Sequence, residues 1–252
     1  MRLAAWRETG ALVGVCIAAV APTLLQDVSA APYAIFAFGF VAVVCLAAFA
    51  MAPEWGRDFA AEKIPLKTIL GDAKTRRLLM LALVNATPLA VSSTMFLFFV
   101  GDRLQADGWE GPLLVVFFLS GAIAAPFWAW AARQFGAKRT LLFAMVMAVL
   151  AFAYTLVLDA GDVGLFAIVC VTSGATIGAD LTLMPALFAK RMGEIAPNGG
   201  QGFGLWSLVN KISLAFAAIA LLPILEASGF DAAAETQPHF ALTTLTILYA
   251  LV

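Results

Sequence analysis

The chain has 252 residues, of which 63% are apolar and 12% charged, and its mean hydropathy is +0.95. Soluble domains run at roughly 45–50% apolar and 25% charged, so this composition excludes a water-soluble fold and turns the reading to membrane spans of about 20 apolar residues each. A net charge of −1 and a pI near 5.8, with basic residues only in short scattered clusters, exclude a nucleic-acid-binding surface.

Arg2 and Arg7 precede the first predicted span, residues 9–26. The run closes on Val28-Ser29-Ala30, which also resembles a signal-peptide cleavage site. Glu8 in the basic flank and a new apolar run directly after Ala30 favour a first transmembrane helix instead. The second span covers 31–52. Residues 53–77 follow, with Pro53, Glu54, Arg57, Asp58, Glu62, Lys63, Pro65 and Lys67; this stretch is longer and more charged than the other loops and reads as a cytoplasmic linker between two bundles.

The third span, 78–100, carries Asn85 and Ser92, seven residues apart and therefore on one helix face. The fourth, 112–132, contains Trp128 and Trp130 near its end, where they are expected to act as interfacial anchors. The fifth is 140–158. The sixth, 163–189, is interrupted by Gly174, Gly178 and Pro185, which predict a helix able to bend. The seventh, 202–225, holds Trp206, Asn210 and Lys211. The last runs from 240 to 252, about 20 Å of helix against a hydrocarbon core of roughly 30 Å. It reads as cut short, and with the early linker it predicts a fragment with material missing at both ends.

Each span must satisfy its own backbone hydrogen bonds in lipid, so the predicted fold is all-α, a polytopic transmembrane helix bundle of about eight spans. Continuous apolar runs without alternation exclude a β-barrel. Thirteen of the fifteen Lys and Arg residues fall in the loops of one side, and only Arg103 lies on the other. By the positive-inside rule the N-terminus is expected in the cytoplasm. Cys16, Cys45 and Cys170 sit in apolar runs without metal or disulfide spacing and read as packing residues. His239 is the single histidine, and no HExxH, Walker or dinucleotide motif is present, so no enzyme activity is expected.

Asp180 and Lys211 are the ionisable residues predicted at bilayer depth. Each lies nine residues from the cytoplasmic end of its span, about 13 Å deep, so they stand at one level on successive helices. They are either parts of a substrate or coupling site or a structural ion pair. Asn85, Trp206 and Asn210 supply amides and an indole suited to sugar hydroxyls and a pyranose face; equally, small polar residues can be glue between helices.

Four segments carry a resemblance. They are Trp6-Arg7-Glu8 with Gly10, Gly14 and Pro22; Pro126-Phe127-Trp128 with Arg133, Phe135, Gly136, Lys138 and Arg139; Gly178-Ala179-Asp180-Leu181 with Pro185 and Ala186; and Gly204-Leu205-Trp206 with Asn210-Lys211. In this order and spacing they resemble helices five, eight, ten and eleven of the glycoside-pentoside-hexuronide cation symporters, the melibiose permease-like branch of the major facilitator superfamily.

The resemblance implies that residues 1–52 are the last two helices of an N-terminal bundle, 53–77 the linker and 78–252 the C-terminal six-helix bundle with its last helix incomplete. It implies a secondary active transporter in the bacterial inner membrane, moving a sugar or glycoside by alternating access. The coupling cation would be Na⁺ or H⁺, with no other cofactor. Lys211 would face carboxylates on the missing N-terminal helices, and Arg133, Gly136, Lys138 and Arg139 would form a cytoplasmic gating loop. Where the family often carries acidic residues after the tenth helix, this chain reads Lys190-Arg191-Met192-Gly193-Glu194. A non-transporting membrane scaffold or assembly subunit fits the same hydropathy.

Overall fold

A computed structural model describes residues 2–26, 29, 31–54, 65–196, 200–232, 234 and 236–250. The middle of the expected linker, residues 55–64, lies outside the described residues, as do the side chains of the Trp6-Arg7-Glu8 motif. The described residues form nine α-helices in chain order: α1 Arg2–Gln26, α2 Pro32–Met51, α3 Leu66–Gly71, α4 Ala73–Phe98, α5 Glu110–Phe135, α6 Ala137–Ala153, α7 Val163–Ile195, α8 Gln201–Ala227 and α9 His239–Ala250. The described residues contain no strand. Among the described residues seven helices are long and apolar enough to cross a bilayer, and the shorter α9 stands where the eighth span is expected.

Several boundaries differ from the sequence reading, and two of them have a visible cause. α4 begins at Ala73, inside the stretch expected as linker, because Asp72 caps it: Oδ2 accepts from the Thr75 amide at 2.8 Å and the Thr75 hydroxyl at 2.7 Å. α7 runs past residue 189 to Ile195, where Arg191 pairs with Glu194 one turn on, at 2.6 Å. Charged residues end an apolar run, but a helix continues through them when caps and pairs satisfy its last turns.

The tightest packing joins α5 to α7. A Cβ added to Gly174 would collide with the Phe117 carbonyl, and one on Gly178 would lie 2.6 Å from the Gly121 carbonyl oxygen. Gly174 and Gly178 are four apart, so both fall on one side of α7 and let the backbones meet, as small-xxx-small pairs do in membranes. α7 is one continuous helix from Val163 to Ile195, and Gly174 and Gly178 serve close approach to α5.

Trp128 corrects one expectation. It is buried, with Nε1 donating to the Ala175 carbonyl at 2.7 Å, so it locks α5 to α7 and is no interfacial anchor. Trp130, two positions on, is exposed.

α4 packs along α8, and α9 closes the set against α4 and α6. At the acidic-loop end, the Phe99 and Tyr249 rings stack with centroids 4.4 Å apart, and Phe166 lies against both. α1 lies on α5 through buried Leu12 and Cys16, and the Thr9 hydroxyl donates to the Ala122 carbonyl at 3.4 Å. α2 packs on α1 and buries none of its side chains; Phe38 and Phe49 stand 76% and 81% exposed, as suits a helix bathed in lipid. Cys45 is exposed on α2, so among the cysteines only Cys16 and Cys170 pack inside.

Candidate functional site

Three helices present polar groups to one cavity of about 170 Å³: Asn85 from α4, Asp180 from α7, and Trp206 and Asn210 from α8. Four residues chosen as membrane-depth polar groups are thus brought together. The Phe188 ring of α7 braces Trp206, with centroids 5.0 Å apart. Asn210 Nδ2 donates to the Trp206 carbonyl one turn earlier at 2.9 Å, which fixes the amide on the cavity wall. Pro185 has no N–H to give the Leu181 carbonyl four residues back, and both residues also line the cavity.

Asp180 occupies the middle of the 33-residue α7. Its side chain is half-buried, its Oδ1 is enclosed without a hydrogen-bond partner, and Asn85 faces its carboxyl from α4. A carboxylate at this depth is costly, and a free acceptor there is a ready partner for a hydroxyl or a cation. Asp180, Asn85, Leu89 and Ile177 also border a second cavity of about 560 Å³ that extends toward α6 and α9.

Lys211 stands apart. It is exposed on α8, off the cavity wall and unpaired among the described residues, so no Asp180–Lys211 ion pair forms. The two residues match in depth, but Lys211 is rotated about 100° around α8 from Asn210, which does line the cavity. Ser92 is buried with an unpartnered hydroxyl, also away from the cavity.

Arg133, Gly136, Lys138 and Arg139 come together in the tight α5–α6 turn, with all three basic side chains exposed. Gly136 takes φ +87°, the left-handed region that favours glycine, and its carbonyl accepts from the Thr140 amide at 3.2 Å and hydroxyl at 3.1 Å.

One charged cluster at the basic-loop end escaped the sequence reading. Arg191 at the end of α7 grips the Asp72 carboxylate with two nitrogens, Nε at 3.0 Å and Nη2 at 2.5 Å, while Nη1 holds Glu194. Arg76 donates to the Leu70 and Gly71 carbonyls at 3.0 and 3.2 Å, tying α3 to the start of α4. The Arg191 guanidinium and the Thr75 donors hold the Asp72 carboxyl well below the usual carboxylate range. The acid that clasps this end of α7 is therefore the residue that caps α4. The Asp72-x-x-Thr75 cap signal was readable locally, whereas its partner lies 119 residues away.

Helices long and apolar enough to span a bilayer surround a cavity lined by amide, carboxylate and indole groups, the architecture of a multi-pass membrane protein. A family model described as MFS/sugar transport protein matches residues 1–252, and the chain belongs to that family. No curated protein matches the sequence. The all-α bundle and the superfamily resemblance are borne out at this level.

Proposed function

We propose that the protein carries a sugar or glycoside across the membrane, unchanged, by cation-coupled symport. The observation that carries this reading is the convergence of Asn85, Asp180, Trp206 and Asn210 on one cavity. The Asp180 carboxylate and the two amides match the donor and acceptor pattern of sugar hydroxyls, and the indole offers a flat apolar face to a pyranose. The family description supports the solute class.

In this reading Lys211, exposed on α8, meets carboxylates of a second bundle, and alternating access rocks the two against each other around the solute. Na⁺ or H⁺ supplies the driving gradient. The basic loops, including the Arg133–Arg139 turn as a gate, lie in the cytoplasm of a bacterial inner membrane.

Equilibrium binding to the protein in lipid nanodiscs tests the site. Asp180→Asn and Trp206→Ala should each weaken binding of a methyl glycoside about 10- to 100-fold, the scale of one charge-assisted hydrogen bond or one stacked ring. Unchanged affinity in both variants rejects the assignment.

A further inference from the structure

The larger cavity shares Asn85 and Asp180 with the smaller one but lacks its Trp206 and Asn210. Val84, Pro88, Met145, Val149, Phe152 and Leu248 supply much of its wall. Its hydroxyls are already engaged: Thr87 donates to Leu83 O at 2.9 Å, Ser173 to Val169 O at 2.6 Å and Thr176 to Ser173 O at 2.7 Å. None has a proton left for an occupant. Side chains around an unfilled apolar space of this size lose dispersion contacts, so apolar matter entering it is favoured twice, by desolvation and by contact.

The two cavities meet at Asn85, Leu89, Ile177 and Asp180. The polar pair Asn85 and Asp180 therefore lines both chambers, with Asn210 and the Trp206 indole on one side and mainly apolar walls on the other. A solute whose hydroxyls engage this pair in the smaller chamber has the larger chamber directly beyond it.

We infer that the two cavities form one amphipathic site, so that the solute is a glycoside bearing an apolar aglycone: the sugar lies in the chamber of Trp206 and Asn210, the aglycone in the chamber of Met145, Phe152 and Leu248. This rests on the sugar-transport reading and narrows its substrate class. A free sugar leaves the larger chamber unused.

Alkyl β-D-glucosides and β-D-galactosides, methyl to hexyl, test this by binding to the protein in nanodiscs below micellar concentrations. Affinity should rise by up to about fourfold per added methylene over the first few carbons. Ala148→Phe, which fills the larger chamber, should bring the hexyl-to-methyl affinity ratio close to one. A glycoside with a diazirine at its alkyl end should label peptides containing Met145, Phe152 or Leu248, and unlabelled butyl glycoside should compete.

Binding of the methyl glycoside with no dependence on chain length overturns the inference and leaves the sugar reading standing. Equal labelling by an alkyl diazirine without a sugar also overturns it, and assigns the chamber to a lipid chain. Should no glycoside bind, methyl included, the sugar reading fails and the inference falls with it.

Discussion

Asp72 and Asp180 are carboxylates in opposite circumstances. Asp72 has its acceptors filled by Thr75 and by a two-pronged Arg191, so it serves structure by joining the start of α4 to the end of α7. Asp180 keeps an enclosed oxygen without a hydrogen-bond partner beside a cavity, and in the proposed function that oxygen meets the solute. Because the folded Asp72 carboxyl titrates below its unfolded value near 3.9, its stabilisation is fully present above that value and is lost as pH falls toward the folded one. Melting temperatures in detergent should therefore show a constant contribution from this clasp between pH 8 and 5 and its progressive loss below about pH 4. Asp72→Asn should melt lower at neutral pH and should lack that acid-dependent component. An Asp72→Asn protein with the wild-type melting profile would remove the clasp from the account.

Among the elements, α7 is the helix on which the others are positioned. Its glycines admit α5, Trp128 bonds its backbone, its last turn holds Asp72, and its centre carries Asp180. Gly174→Ala should cost roughly 1–3 kcal/mol, the scale of overpacking, because the backbone of Phe117 cannot yield as a flexible side chain would. Gly193, on the same helix with nothing near its added Cβ, is the control. Gly193→Ala should be neutral or stabilising by up to about 1 kcal/mol. Reversible thermal unfolding in detergent distinguishes the two, and equal effects would mean that intrinsic helix propensity, and not close approach, governs these positions. The sequence already showed glycines at a spacing of four, but the same letters describe a bend and a packing seam. Only the neighbour decides, and α5 is not a local signal.

For the whole molecule, lipid makes the spans legible. Every helix long enough to cross was readable from continuous apolar runs, since a buried backbone in hydrocarbon has few alternatives. The cavity was legible for a related reason: polar groups at bilayer depth are rare, so Asn85, Asp180, Trp206 and Asn210 stood out before their positions were known. Azimuth was not legible. Lys211 matches Asp180 in depth yet lies around the side of α8, and Trp128 faces inward although its place near a span end suits an anchor. Long-range pairs such as Asp72–Arg191 were hidden for the same reason, because nothing near either residue names the other.

The central claim is that the cavity between α4, α7 and α8 holds the solute during transport. Uptake of a radiolabelled glycoside into proteoliposomes, driven by an imposed Na⁺ or H⁺ gradient, tests it most directly. The account predicts accumulation that depends on one of these gradients and falls at least about tenfold in Asp180→Asn at equal protein content. Wild-type uptake in Asp180→Asn would contradict it, as would a wild-type protein that moves no glycoside under either gradient.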